Sequence, residues 1–167
     1  MPADEMKLSV RADFERQVVD FFCDGVRLLG LPKSVGEIYG MLFITPEPLS
    51  LDDLVEKLGI SKGSASQGLR TLRDLGAVRV VEGGEGVRRM FYEPDVELKQ
   101  LVGGFIKEQV RPHVRSGEEK LARLEELAGE LEGDGNYHFY EDRLLKLERW
   151  SKRAKILLPI VQKFLGS

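Results

Sequence analysis

The chain of 167 residues contains one cysteine, one tryptophan and two histidines. A single cysteine excludes an intramolecular disulfide framework and favours a reducing compartment, so we expect a cytoplasmic protein. Cys23 lies in an apolar run and is expected to pack in a core, with a redox-sensing thiol as the alternative. Apolar runs long enough to span a membrane and a signal-peptide core are both missing, so we expect no membrane association.

Signatures of catalysis are also missing. His113 and His138 lie far apart in the sequence, and neither has a nearby histidine or cysteine at metal-ligand spacing. The chain has no nucleophile elbow, phosphate-binding loop or dinucleotide fingerprint. The glycine-rich segment 83–86 links two predicted strands and does not open a helix, so it is predicted to be a turn. We therefore expect no enzyme, no metal site and no cofactor.

The segment 50–76 has the pattern of two short helices joined by a tight turn. Ser50 is a suitable N-cap with Asp53 three residues later, and Gly59 can end the first helix in a left-handed conformation. Ser61 is predicted to cap a second helix, Ser61–Asp74, whose inner face carries Ala65, Leu69 and Leu72. This pattern is typical of a helix-turn-helix.

The outward face of the second helix is polar and basic, and a basic hairpin follows it. Such side chains bind base edges and phosphates, so the sequence predicts DNA binding through this helix and through a two-stranded β-wing. The predicted DNA-contacting residues of the helix are Ser61, Lys62, Gly63, Ser64, Ser66, Gln67, Arg70 and Arg73. Those of the wing are Arg79, Arg88 and Arg89, on the DNA backbone or in the minor groove.

The charge distribution supports the same interpretation. Residues 61–92 carry six basic and three acidic side chains, a net charge of +3. The whole chain has a net charge of −3, so the remainder carries −6. A basic helix and wing on an acidic chain favour double-stranded DNA as the partner. The alternative is a winged-helix module that binds protein and no DNA.

Helices with heptad-like apolar spacing flank this domain. We predict a mainly α fold divided into an N-terminal dimerisation helix (10–30), a winged helix-turn-helix (34–93) and a C-terminal helical region (95–167), with residues 1–9 as a loose arm. Ser34 is predicted to cap the helix that opens the winged domain, and Pro112 to kink or split the long helix. The apolar seams favour a homodimer, and an intramolecular bundle in a monomer is the alternative.

Three segments of the chain resemble a known family. They are LPKSVGEIYG at 31–40, PEPLSLD at 46–52 and ISKGSAS at 60–66, and the stretch 69–78 fits as well. They resemble the GbsR branch of the MarR family of transcriptional regulators. The resemblance implies a homodimeric winged-helix repressor, with dimerisation through the N- and C-terminal helices. It also implies an effector such as choline or a related quaternary amine, bound near the dimer helices.

A quaternary amine is held by an aromatic cage through cation–π contacts. The candidate residues for such a cage are Tyr137, Tyr140, Trp150 and Phe105. Aromatic residues at helical spacing more often belong to a packed interface, which is the alternative for this set.

Overall fold

The computed structural model describes residues 3–83 and 88–166, which form a mainly helical chain with one small antiparallel sheet. The helices are α1 Ala3–Leu28, α2 Lys33–Ile44, α3 Leu51–Leu58, α4 Lys62–Asp74, α5 Leu98–Phe105, α6 Arg111–Glu130 and α7 Tyr137–Gly166. The strands are β1 Leu49–Ser50, β2 Val78–Glu82 and β3 Met90–Pro94. This confirms the predicted mainly α fold with a helix-turn-helix and a β-wing.

The chain divides into two compact units, Met1–Leu101 and Val102–Ser167. The first contains α1 to α4 and the sheet, the second contains α6 and α7, and the boundary lies within α5. Because a single chain shows no interface between copies, the assignment of 10–30 and 95–167 to dimerisation stays a prediction.

The start of α1 differs from the prediction. This helix begins at Ala3, so the expectation of a loose arm over residues 1–9 is wrong for residues 3–9. Asp4 and Glu5 lie in the first turn, where negative charge interacts favourably with the helix dipole. Sequence periodicity begins later than the helix because this part of α1 is exposed.

The start of α2 also differs. Ser34 is not the N-cap, because the helix begins at Lys33 after Pro32, which has an extended backbone and makes no capping hydrogen bond through its side chain. The restricted φ of proline suits this entry into a helix. Glu37 forms an ion pair with Lys33 across one helical turn, with Oε1 3.1 Å from Nζ.

The first unit is built around α2, which contacts α1, α3, α4 and β3. Val35, Ile38, Tyr39 and Leu42 are almost completely buried. The Tyr39 hydroxyl donates a hydrogen bond to the carbonyl oxygen of Asp95 (2.6 Å), which ties α2 to the segment after the wing. Burial, with a smaller contribution from the Asp95 charge, raises the pKa of Tyr39 to about 12.

Two glycines allow α1 and α2 to pack at very short range. A methyl group on Gly36 would lie 2.7 Å from Cys23 Cα, and one on Gly40 would lie 2.8 Å from Val19 Cα. These are backbone atoms, so side-chain rotation cannot relieve the overlap. The spacing Gly36-x-x-x-Gly40 puts both glycines on one face of α2 and lets the two helix backbones approach each other.

Cys23 is buried at this crossing, as expected for a core residue. Burial, followed by the nearby Glu37 carboxylate, raises the pKa of the Cys23 thiol. A raised pKa disfavours the reactive thiolate, which argues against the alternative of a redox sensor.

The sheet has one strand more than the predicted two-stranded wing. β2 and β3 form the expected antiparallel hairpin, and β1 pairs with the other edge of β3, with Leu49 opposite Tyr92. Two residues are too few for an alternating pattern, so β1 had no signal in the sequence. Of the predicted turn at 83–86, residues 84–86 lie outside the described part of the chain.

The helix containing Pro112 is neither split nor regular. A π-helical turn, Ile106–Val110, joins α5 to α6, and the Arg111 N–H donates to the carbonyl of Ile106, five residues earlier. Pro112 follows at once in the first turn of α6. Proline lacks an N–H and its ring crowds the preceding turn, and a widened turn accommodates both effects.

In the second unit, α6 and α7 pack against each other as an antiparallel pair. Lys155 Nζ lies 2.6 Å from Glu118 Oε1, and Arg111 donates to the side-chain oxygen of Gln162. Among the described residues, many large apolar side chains on this pair are exposed. They include Leu124 and Leu127 on α6, Leu131 directly after it, and Leu147, Trp150, Ile156, Leu157, Ile160, Val161 and Phe164 on α7. Within 3–83 and 88–166, no helix has the length and apolarity needed to cross a bilayer.

Candidate nucleic-acid interface

The first helix of the helix-turn-helix, α3, begins with the predicted capping box. Ser50 Oγ accepts from the Asp53 N–H (3.2 Å), and Asp53 Oδ2 accepts from the Ser50 N–H (2.8 Å). The Ser50 hydroxyl also donates to Asp53 Oδ2 (2.7 Å). The hydrogen bonds that the Ser50 hydroxyl and N–H donate to the carboxylate lower the pKa of Asp53, and the charges of Arg89 and Lys57 lower it further. Gly59 ends α3 in the left-handed conformation, with φ of 64°.

Ser61 caps the second helix, α4, as predicted. Its Oγ accepts a hydrogen bond from the Ser64 N–H (3.1 Å) and donates one to Ser64 Oγ (2.9 Å). Two of the hydroxyl groups predicted to contact DNA are therefore bonded to each other at the N-terminus of α4. The cap fixes the direction in which this helix leaves the turn.

The two faces of α4 differ completely in burial. Ala65, Gly68, Leu69 and Leu72 are buried against the core. The predicted DNA-contacting residues of this segment, Ser61, Lys62, Gly63, Ser64, Ser66, Gln67, Arg70 and Arg73, are all exposed. The structure therefore brings these eight predicted residues together on one accessible face.

The two glycines of this helix have different surroundings. A methyl group on Gly68 would overlap Ile38 Cδ1, so this glycine lets α4 pack closely on α2. Gly63 lies on the outward face, and apart from its chain neighbours and its own helix backbone the nearest described atom to such a methyl group would be Ser61 Oγ, at 3.9 Å. Close packing against α2 therefore explains why position 68 is a glycine, whereas no packing contact with a described residue explains the glycine at position 63.

The three wing arginines are not equivalent. Arg79 lies directly opposite Glu93 in the β2–β3 register and forms an ion pair and hydrogen bond with its carboxylate. Arg88 and Arg89 are exposed just before the returning strand, which begins at Met90. Arg89 comes two residues before Phe91, which pairs with Ser50 in the β1–β3 register, and its charge contributes to the lowered pKa of Asp53.

Sequence reasoning missed an acidic residue beside α4. Asp52, in the first turn of α3, has its Oδ1 3.6 Å from Lys62 Nζ. The two residues are ten positions apart and belong to different helices, so neither helical periodicity nor capping rules connect them. The packing of α3 on α4 brings them together.

The four aromatic residues proposed for an effector do not converge into one cage within a single chain. Tyr137, Tyr140 and Trp150 all lie on α7, where a rise of about 1.5 Å per residue separates Tyr137 from Trp150 by about 20 Å. A cage needs its rings within about 6 Å of one cation. Phe105 is half-buried at the end of α5.

Trp150 does line a concave surface. A cavity of about 210 Å³ lies between α6 and α7, and its apolar walls include Leu121, Leu147 and Ala154. The described lining residues also include Lys120 and His113, and no carboxylate. The cavity therefore lacks the counter-charge that a quaternary amine favours.

The helix-turn-helix region matches a known domain. A model of the IclR helix-turn-helix domain matches residues 44–82, from the end of α2 to the end of β2. The wider MarR label stays a prediction.

Relatives from Bacillus subtilis (strain 168) support the resemblance. The chain is 28% identical over 114 residues to the HTH-type transcriptional repressor GbsR, covering 66% of this chain and 62% of that protein. It is 29% identical over 94 residues to the HTH-type transcriptional regulator YvaV, covering 56% and 52%. It is 29% identical over 87 residues to the HTH-type transcriptional repressor OpcR, covering 52% and 46%. The chain thus matches between about half and three-fifths of these relatives' own length.

A solved structure described as a transcriptional regulator shares the fold. The TM-score is 0.59 at 19% identity, over 93% of this chain and 95% of that one. The relatives carry the names of transcriptional regulators and not of enzymes. The predicted resemblance is confirmed: at modest sequence identity, this chain is related to the GbsR-like transcriptional regulators with a helix-turn-helix domain.

Proposed function

We propose that this protein is a homodimeric DNA-binding transcriptional regulator that acts as a repressor. The observation that carries the proposal is the exposed face of α4, where eight polar, basic or small residues lie opposite a fully buried face. GbsR and OpcR, to which the chain is related, are named as repressors. A regulator of this kind works in the cytoplasm, where bacterial DNA is accessible.

In the complex, α4 lies in the major groove, which is wide enough to admit a helix. Gln67 and Arg70 bind base edges, and Lys62 and Arg73 neutralise phosphates. Ser61 and the exposed N–H groups of the first turn contact a phosphate at the helix N-terminus. Gly63 lets the helix backbone approach the DNA. Arg88 and Arg89 bind the backbone or the minor groove, whereas Arg79 contributes less because Glu93 already pairs with it.

The test is equilibrium binding to a labelled fragment from upstream of the gene, over a series of salt concentrations. Gln67→Ala and Arg70→Ala should each weaken specific binding by about 1–3 kcal/mol without loss of folding. Arg27→Ala removes an exposed arginine at the end of α1 and should have little effect. Unchanged binding by both α4 variants would refute the role of this helix. No binding by the folded protein at low salt would favour a protein-binding winged helix.

The homodimer is supported by the exposed apolar side chains of α1 and α7, including Phe14, Phe21, Leu157 and Phe164. Exposed apolar surface of this extent is typical of an interface. Two recognition helices about 34 Å apart would then match a pseudo-palindromic site. Sedimentation equilibrium should show a dimer that Leu157→Asp dissociates, and a monomer in the parent protein would refute this part.

An effector of the dimer is part of the same proposal, and choline is the first compound to test. Trp150 is the single tryptophan, so its fluorescence reports on the α6–α7 cavity without background from other indole groups. Choline should change both this fluorescence and the affinity for DNA. No change in either would exclude choline and direct the search to uncharged or anionic compounds, since Lys120 lines the cavity.

A further inference from the structure

The N-terminus of α3 places the acidic residue Asp52 next to Lys62, which is predicted to bind DNA. The Asp52 carboxylate lies 3.6 Å from the Lys62 ammonium group, and the two side chains are 61% and 75% exposed. Asp53 follows and is held in the capping box with Ser50. The charge of Arg89 contributes to the lowered pKa of its carboxyl group. The predicted interface therefore contains negative charge at a fixed position.

An exposed ion pair of this kind is weak, because water screens both charges. Lys62 can therefore leave Asp52 and bind a phosphate at little cost. The backbone of Asp52 stays in place, because it lies in the first turn of a helix that begins with a capping box, so its carboxylate remains near Lys62. A phosphate that reaches Lys62 comes close to the Asp52 carboxylate and is repelled by it.

We propose that Asp52 restrains DNA binding: it pairs with Lys62 in the free protein and repels the phosphate that Lys62 neutralises in the complex. The inference rests on the proposed function and adds a residue that limits affinity for DNA of any sequence. Binding to non-specific DNA comes almost entirely from phosphate neutralisation, so the restraint acts most strongly there. It helps a regulator on an acidic chain to remain free of unrelated DNA.

The test compares Asp52→Asn with Glu56→Gln in the full-length protein. Glu56 is an exposed acid one turn further along α3. Its substitution changes the net charge by the same amount and leaves the ion pair between Lys62 and Asp52 intact. The probe is a fluorescein-labelled duplex of random sequence and about 30 base pairs, titrated by anisotropy over a salt series. Circular dichroism checks that each variant is folded.

Asp52→Asn should bind about 3- to 10-fold more tightly at low salt, and its log K should fall more steeply with log salt, by up to about one unit of slope. Glu56→Gln should change affinity less than about twofold. In a Lys62→Ala background, the gain from Asp52→Asn should shrink to less than about half, because the freed cation is absent.

Three outcomes would overturn the inference. Asp52→Asn could equal Glu56→Gln, which would mean that only net charge matters. Its effect could be the same with and without Lys62, which would mean that the pair is irrelevant. It could weaken binding, which would mean that Asp52 positions Lys62 productively. A folded parent protein that binds no DNA at low salt would instead refute the proposed function itself, and the two failures are therefore distinguishable.

Discussion

Replacing Gly36 by alanine tests whether close backbone contact between α1 and α2 holds the first unit together. The added methyl group would lie 2.7 Å from Cys23 Cα and 2.8 Å from both Cys23 N and Phe22 O. An ordinary carbon–carbon contact is about 3.5 Å, so α1 would have to move by about 0.8 Å. All three neighbours are backbone atoms, and α1 carries the buried side chains Phe22 and Val26, so that movement disturbs the core.

The expected magnitude follows from two opposing effects. Overpacking a core costs about 1–3 kcal/mol, and the upper end applies because three backbone atoms are crowded at once. Alanine is favoured over glycine in a helix by about 1 kcal/mol. Gly36→Ala should therefore lower the free energy of unfolding by about 2 kcal/mol. Gly40→Ala, with its methyl group 2.8 Å from Val19 Cα, should behave similarly.

The matched control is Gly25→Ala in α1. Apart from its chain neighbours and the backbone of its own helix, no described atom lies within 4 Å of the methyl group that this substitution adds, so the helix propensity alone should act. The protein should then gain about 0.5–1 kcal/mol.

The assay is urea denaturation followed by far-ultraviolet circular dichroism at two protein concentrations, since association would make stability depend on concentration. Tryptophan fluorescence is unsuitable because Trp150 lies in the second unit. Stabilisation of Gly36→Ala to the same degree as Gly25→Ala would refute the close crossing of α1 and α2.

Two further predictions concern buried or capping polar groups. Tyr39→Phe removes the hydrogen bond to the Asp95 carbonyl and should cost about 1–2 kcal/mol of stability at pH 7 in urea denaturation. The folded-state pKa of Tyr39 is raised from 10.0 to about 12, so its contribution is complete below pH 10 and is lost as the pH rises towards 12. The phenylalanine variant should not show this loss of stability at alkaline pH. If its stability fell with pH as steeply as that of the parent protein, Tyr39 would not be the group responsible. Asp53→Asn should lower stability by about 0.5 kcal/mol at neutral pH. The pKa of Asp53 lies below its ordinary value of 3.8, so its contribution is present above that pH and disappears as the pH falls further. Thermal melting should then show that variant and parent converge in strong acid, and a difference that persists there would exclude the carboxylate as its cause.

The parts of the fold that could be predicted from the sequence are those with local signals. The capping box of Ser50 and Asp53, the left-handed Gly59 and the cap at Ser61 each depend on residues within about four positions. The polar face of α4 follows from helical period, and burial of Leu69 and Leu72 on the opposite face agrees with it. These local signals are enough to predict the helix-turn-helix and the polar face of α4 that is exposed to solvent.

The parts that could not be predicted depend on contacts between distant segments. Strand β1 exists because β3 offers an unpaired edge to Leu49 and Ser50. Arg79 is paired because the register places Glu93 opposite it. Asp52 meets Lys62 because α3 packs on α4. A list of exposed basic residues cannot distinguish cations that are free to bind phosphate from cations that already have an acidic partner.

The aromatic residues of α7 show the same limit for a ligand site. Tyr137, Tyr140 and Trp150 are close in sequence, but successive residues of a helix point in different directions and are separated along the helix axis. Their spacing therefore predicts a stripe or scattered rings and not an enclosure, which needs residues from several elements. The cavity that does exist combines Trp150 with His113, Lys120 and Leu121 of α6, more than 25 positions away in sequence. Its described walls are mainly apolar and include Lys120 but no carboxylate. An uncharged or anionic compound therefore suits this cavity better than the quaternary amine that the resemblance implies, and titrations followed by the fluorescence of Trp150 distinguish the two.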